Sequence, residues 1–190
     1  SPDGSRLVFS TTYHDTYYGL PCTGGLVVVD PEMRQTNVLS TARCGMSPAW
    51  APTGDAIAFS RCCEPRDAPP QLYLVTLDGS PAVPLFIPGV LWADAPSWSP
   101  DGKRIAFECI VTPMIRSVCI VNRDGTHPVR LTIDDAGATY PTWSPDGNWL
   151  AFTRHEATTR IAHIMLLNLQ DGSVTRLTTG WDAAWSRDGK

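Results

Sequence analysis

Short apolar segments alternate with polar turn sequences along the whole chain. Four of these segments have a smaller residue between two large apolar ones: Leu7 to Phe9, Ile57 to Phe59, Ile105 to Phe107 and Leu150 to Phe152. Neighbouring side chains of a strand point to opposite faces, so consecutive apolar residues predict sheets that are covered on both faces. No segment keeps an apolar period of 3.6 residues, and therefore no helix is predicted.

A tryptophan followed by a turn sequence precedes three of these four strands. The clearest copies are Trp98–Gly102 and Trp143–Gly147, both reading Trp-Ser-Pro-Asp-Gly, with variants at 50–54 and 185–189. The chain also opens with Ser-Pro-Asp-Gly. These four residues match the four positions of a type I turn. The turn glycines recur every 42 to 50 residues, which is the period of a four-stranded propeller blade.

This motif resembles the TolB-like propeller repeat, in which Pro-x-Trp-Ser-Pro-Asp-Gly precedes an Ile-Ala-Phe strand. Residues 96–107 and 141–152 match it almost letter for letter. The unit at 50–54 lacks the Asp, and the last unit has Ala183 and Arg187 where the repeat has Pro. The resemblance implies an extracytoplasmic protein-binding scaffold or an accessory domain of a peptidase.

The sequence therefore predicts an all-β fold, a β-propeller of four four-stranded antiparallel blades. We expect one domain over residues 1–190, with repeat units of about 1–50, 51–98, 99–143 and 144–190. The first unit lacks its innermost strand, and the chain ends on a strand of that type around Ala184 and Trp185. We expect this terminal strand to complete the first blade, because closure removes exposed sheet edges. The alternatives are an arc of a larger propeller and donation of the strand to another molecule.

Charge and cysteine content indicate which partners are excluded and which cellular compartment is favoured. The net charge of −4 argues against nucleic acid and against a polybasic membrane contact. No apolar run reaches the ~18–20 residues of a spanning helix, so membrane insertion is not predicted. The six cysteines lack metal-site spacing, which favours disulfides in the periplasm or outside the cell.

Placing the cysteines on the predicted strands suggests how they pair. Cys109 and Cys119 lie on neighbouring strands of the third unit and are predicted to form a bridge. Cys22, Cys44, Cys62 and Cys63 fall on long loops and are expected to form two more, one of them joining Cys44 to Cys62 or Cys63. Reduced, buried cysteines in a cytosolic protein are the alternative.

The long loops collect on one face of the predicted propeller, where a rigid scaffold usually carries its binding residues. The loop at 13–18 is the most distinctive, because it mixes aromatic and polar side chains suited to partner or sugar contact. The binding candidates are Tyr13, His14, Asp15, Tyr17, Tyr18, Trp92, Asp94, Asp134, Asp135, His155, Glu156, Trp181 and Asp182.

No catalytic, metal or cofactor site is predicted. Residues 45–49 resemble a nucleophile elbow only weakly, because they overlap the start of a repeat strand. His155 and His163 flank one hairpin, but no carboxylate set stands at ligand spacing. We expect a non-catalytic extracytoplasmic scaffold that binds a protein or glycan partner. The alternatives are an accessory domain of a hydrolase and a structural subunit that polymerises through its terminal strand.

Overall fold

The computed structural model describes residues 1–11, 23–61, 69–111, 115–133, 137–156, 158–159, 161–186 and 188–189. In this part of the chain all regular secondary-structure elements are β-strands, which form four antiparallel sheets. The all-β class is thereby confirmed. The chain divides into two compact units, Ser1–Phe86 and Ile87–Lys190, and each is described by itself. The single-domain assignment stays a prediction.

The unit Ser1–Phe86 contains two sheets whose strands lie side by side in chain order. The first sheet consists of β1 (Leu7–Ser10), β2 (Gly25–Asp30) and β3 (Gln35–Arg43). The second consists of β4 (Gly45–Trp50), β5 (Ile57–Arg61), β6 (Gln71–Val75) and β7 (Val83–Pro84).

The unit Ile87–Lys190 also contains two sheets, each of four strands in chain order. The third sheet consists of β8 (Trp92–Trp98), β9 (Arg104–Ile110), β10 (Arg116–Asn122) and β11 (Val129–Arg130). The fourth consists of β12 (Ala138–Trp143), β13 (Trp149–His155), β14 (Ala162–Asn168) and β15 (Val174–Thr179).

Among the described residues the first sheet has three strands, and β1 follows the opening turn directly. Its β1 corresponds to β5, β9 and β13, the second strands of the other sheets. Residues 182–186 are described but form no strand, so completion of the first sheet by the terminal segment stays a prediction. Leu7 and Phe9 of β1 are 61% and 44% exposed, whereas the equivalent residues of β5, β9 and β13 are buried.

Within each unit, one sheet packs the face that carries its smaller middle residue on the face of the next sheet that carries two large residues. In the second unit the Ala106 face of the third sheet contacts Leu150 and Phe152 of the fourth. In the first unit the Val8 face of the first sheet packs in the same way on Ile57 and Phe59. A smaller residue at the middle position lets the large side chains of the next sheet approach. This explains the large–small–large pattern of the second strands.

Four of the five turn motifs have the same two hydrogen bonds, and the turn at 51–54, which has Ala51 and Thr53 in place of Ser and Asp, keeps only the glycine amide bond. The amide of Gly147 donates to the carbonyl of Ser144 over 2.9 Å, and the Ser144 hydroxyl donates to Asp146 over 2.5 Å. The hydroxyl bond, helped by the amide of Asn148, lowers the pKa of Asp146. Gly147 has a φ of +73°, a conformation that glycine adopts without a steric penalty. The predicted tight turn is therefore present.

The first strand of each four-stranded sheet carries a β-bulge at the same place. Ser47, Ala95 and Tyr140, each three residues before the tryptophan, have φ of 49°, 48° and 51°. In each case two residues of the first strand lie opposite one residue of the second, which is Phe59, Phe107 or Phe152. Bulges bend a strand and redirect its side chains. The sequence analysis did not predict this feature.

The predicted bridge between Cys109 and Cys119 is confirmed, with 5.9 Å between the two Cα atoms. Cys109 lies opposite Ser117 and Cys119 lies opposite Phe107, so the disulfide joins β9 and β10 diagonally on one face. Cys44 is also disulfide-bonded. Cys22, Cys62 and Cys63 lie outside the described residues, so their pairing stays a prediction.

Replacing both Cys109 and Cys119 by Ser should lower the free energy of unfolding by about 2–3 kcal/mol, since the bridge closes a short loop in the unfolded chain. Urea unfolding under oxidising conditions measures the difference. The same measurement on both proteins after reduction serves as the control, because the gap between them should then close. An unchanged midpoint of the oxidised variant would contradict the prediction.

Enlarging the small residue between the third and fourth sheets should also destabilise the protein. Ala106→Leu places extra methyl groups against Phe152 in a fully buried position and should cost about 1–3 kcal/mol. Adding Met165→Ala on the facing strand should recover part of this loss in a double-mutant cycle. Purely additive effects would show that the two sheets do not meet at Ala106.

Candidate functional site

Charged and aromatic side chains lie together at the end of the third sheet where β9 leads into β10. Trp92, Asp94, Glu108 and Arg116 form this group, which we call the third-sheet cluster. Asp94 lies opposite Glu108 in the register, and Trp92 and Arg116 lie on either side of Ile110. Since side chains alternate along strands, all four lie on the sheet face that carries Ala106 and Val118.

Glu108 is the unusual member, because it is a carboxylic acid that is only 2% exposed. The other sheets have a hydroxyl at the equivalent position: Ser10, Ser60 or Thr153. A buried carboxylate requires a charged or hydrogen-bonding partner. Arg116 provides one, since its Nη1 atom contacts Oε1 of Glu108.

Arg116 is held from two sides and still reaches solvent. Its guanidinium lies 5.3 Å from the ring centroid of Trp92, a distance at which a cation is attracted to an aromatic ring. The Arg116 side chain is 49% exposed. A guanidinium carries five N–H donors, so an arginine fixed in this way can bind an external carboxylate or other acceptor without first losing conformational freedom.

Burial raises the pKa of Glu108, and the negative charge of Asp94 acts in the same direction, while Arg116 opposes both. The neutral form of Glu108 is thus favoured relative to an exposed glutamate. The net charge of the cluster therefore depends on the contact between Arg116 and Glu108, because that contact favours the ionised carboxylate.

The corresponding end of the fourth sheet also carries titratable groups. His163 is buried, and its Nε2 atom lies 3.9 Å from Glu156 Oε2. It lies opposite Arg154, on the face of β14 that carries Met165 and packs on the third sheet. His155 is on the other face, where its Nε2 atom lies 3.3 Å from the hydroxyl of Thr139. His155 and His163 therefore do not form a joint site.

The structure brings only some of the predicted binding residues together. Trp92 and Asp94 share the third-sheet cluster, and Glu156 lies beside His163. Trp181 is 71% exposed, and the Asp182 amide donates to the hydroxyl of Thr153 over 3.0 Å, on the face opposite His163. The remaining candidates lie outside the described residues: Tyr13, His14, Asp15, Tyr17, Tyr18, Asp134 and Asp135.

Sequence reasoning missed Glu108 and Arg116. A signal for Glu108 was present, since it is the one charged residue of 105–110 and stands where the other repeats have Ser or Thr. Arg116 has no such signal, because it follows a loop whose sequence is not repeated in the other units. Within the described ranges no group of three or more His, Cys, Asp or Glu is placed to hold a metal ion. The same part of the chain contains no helix long and apolar enough to cross a membrane.

Comparison with solved structures shows that the chain has a TolB-like β-propeller fold. Putative TolB from Agrobacterium tumefaciens matches at a TM-score of 0.80 and 21% identity, over 100% of this chain and 69% of that one. TolB from Acinetobacter baumannii matches at 0.78 and 17%, over 99% and 45%.

Enzymes with this fold match as well. Oligogalacturonate lyase from Vibrio parahaemolyticus gives a TM-score of 0.64 and 14% identity, over 100% of this chain and 55% of that one. No protein-family model matches the sequence, and no curated protein does. At these identities the likeness extends to the fold alone.

Replacing Glu108 by Gln should change how stability depends on pH. Folded Glu108 keeps its proton to higher pH than the unfolded chain does, so its contribution to the free energy of unfolding falls as pH rises above the usual range of a glutamate. The Gln variant has no titratable group at this position, so its free energy of unfolding does not show this decrease. Relative to the wild type the variant should therefore become more stable across the pH range above the usual glutamate pKa of about 4.3.

Urea unfolding across that pH range measures the difference between the two proteins. Glu32→Gln, at an exposed glutamate of the first unit, controls for the loss of one negative charge. A pH-independent difference for Glu108→Gln would contradict the assignment.

Proposed function

We propose that this chain is a non-catalytic, extracytoplasmic β-propeller scaffold that binds a protein or glycan partner through the third-sheet cluster. The observation that carries the proposal is the arrangement of Arg116, half-exposed yet fixed by Trp92 and Glu108. Tryptophan and arginine dominate the energetics of protein interfaces. A partner that presents a carboxylate, on a peptide or on an acidic sugar, fits this arrangement best.

The chemistry of the described site supports a binding role over a catalytic one. The cluster contains two carboxylates and one arginine, but Glu108 is buried and already paired, so it is poorly placed to exchange a proton with a substrate. The enzymes among the structural neighbours share only the fold, and fold alone does not determine activity.

Location outside the cytoplasm is supported by the disulfide between Cys109 and Cys119, since such bonds persist in oxidising compartments. The solved TolB structures share this fold, and the resemblance to the TolB-like repeat implies an extracytoplasmic setting, which we extend to this chain as part of the proposal. An adjoining hydrolase domain in the natural gene would instead favour an accessory role.

Selection from a displayed peptide library and binding to a glycan array test the proposed function. Ligands that bind the wild type should lose affinity for Arg116→Met by about 30-fold or more, the size of a hot-spot effect. Arg123→Met is a matched control, because the Arg123 guanidinium lies 5.3 Å from the ring centroid of Trp98 in the same sheet, at the end opposite the cluster. Ligands that are insensitive to Arg116→Met, or the absence of any ligand, would refute the proposal.

A further inference from the structure

Glu108 is buried between two opposite charges of its own sheet. The Nη1 atom of Arg116 contacts its Oε1 atom, and Asp94 lies opposite it on β8. On β10 the residue opposite Glu108 is the apolar Val118. Because Asp94 repels a second negative charge and burial disfavours any charge, the contact with Arg116 is what favours the ionised form of Glu108.

The fourth sheet packs on this face of the third sheet and carries further titratable groups. Arg154 and His163 lie opposite each other on its packed face, and Glu156 lies 3.9 Å from His163. Strand β12 adds Tyr140, which is half-exposed. The charges that act most strongly on Glu108 are nevertheless the guanidinium and the carboxylate of its own sheet.

A ligand carboxylate and Glu108 would compete for the same cation. The Arg116 side chain is half-exposed, and a guanidinium binds a carboxylate best through two parallel N–H donors. A ligand bound in this way neutralises the positive charge of Arg116, which weakens the attraction between Arg116 and Glu108. The buried carboxylate is then left with the repulsion of Asp94 and without a compensating charge.

We propose that binding of a carboxylate ligand to Arg116 is coupled to the uptake of one proton by Glu108. The inference rests on the proposed function, because it requires that Arg116 is where the ligand binds. The proton comes from solvent and converts the Glu108 carboxylate to a neutral carboxylic acid. The ligand adds one negative charge and the proton one positive charge, so the net charge of the site is conserved.

The coupling makes the affinity of the site depend on pH. The complex holds one proton more than the free protein, so affinity should rise as pH falls. The rise should reach up to about tenfold per pH unit in the range above the usual glutamate pKa of about 4.3. A scaffold with this property binds its partner more tightly in an acidic compartment and releases it as pH rises.

Carboxyl ¹³C NMR of the whole chain, with its glutamates labelled at the side-chain carboxyl, tests the proposal. The chain has four glutamates, and the resonance that disappears in Glu108→Gln is that of Glu108. Arg116→Met should move the titration midpoint of this resonance to higher pH without any ligand, because the compensating charge is gone. Arg123→Met, at the opposite end of the same sheet, should leave the midpoint unchanged.

Two carboxylate probes then test the coupling itself. D-Glucuronate presents a carboxylate from a sugar, and N-acetylglycine presents one from a peptide. A probe that binds should move the Glu108 midpoint to higher pH in the wild type and leave it unchanged in Arg116→Met. Glucose, which has no carboxylate, should have no effect on either protein.

The affinity of a bound probe should also follow the protonation of Glu108. It should rise as pH falls for the wild type and stay constant with pH for Glu108→Gln, which cannot take up the proton. His163→Asn removes the histidine of the facing sheet and should retain the wild-type dependence on pH. A dependence that His163→Asn abolishes would assign the proton to the wrong residue and overturn the proposal.

The outcomes separate this inference from the proposed function. If Arg116→Met keeps the wild-type midpoint of Glu108, the inference is wrong whether or not a probe binds. A probe that binds through Arg116 without moving that midpoint would overturn the inference and leave the proposed function in place. Failure of both probes to bind would count against both, since the site would then not recognise a carboxylate.

Discussion

The fold depends on covering both faces of the second strand in each four-stranded sheet, which is β5, β9 or β13. Ile105, Ala106 and Phe107 are each fully buried although they alternate between the faces of β9, and no single sheet can bury such a strand. The solution in both units is to pack a small face on a large one. A large residue at the middle position would separate the sheets, and a small one at the outer positions would leave a cavity. This requirement accounts for the repeat better than the local propensity of any strand does.

The turn and the bulge follow from the same requirement. The turn brings the tryptophan strand back alongside the second strand, and the bulge lets it bend where it passes the buried phenylalanine. The bulge also shifts the alternation of side chains, so that residues before it change faces relative to the tryptophan. Asp94 reaches its position opposite Glu108 in this way. The third-sheet cluster is therefore a local consequence of a device that every complete sheet contains.

The repeat architecture could be predicted from the sequence because each unit shows the same spacing of Trp, turn and apolar strand. The Cys109–Cys119 bridge could be predicted because both residues lie on adjacent strands of one hairpin. The bulge could not, since Ser47, Ala95 and Tyr140 share no side-chain chemistry that marks a positive φ, and only the proline after each is constant. Pairing between Arg116 and Glu108 depends on register at the end of a hairpin, and the loop between them gives no signal for that register.

Stability alone does not account for the pair formed by Glu108 and Arg116. Burying a carboxylate carries a desolvation penalty that an ion pair often fails to offset, and the equivalent positions show that a hydroxyl is sufficient for the fold. Ser60 and Thr153 occupy this place in the second and fourth sheets. What the acidic residue adds in the third sheet is a fixed anchor under a half-exposed guanidinium that also lies on Trp92. An arginine held at a defined place on a rigid sheet is useful for recognition, and this is why we assign the cluster to binding and not to the core.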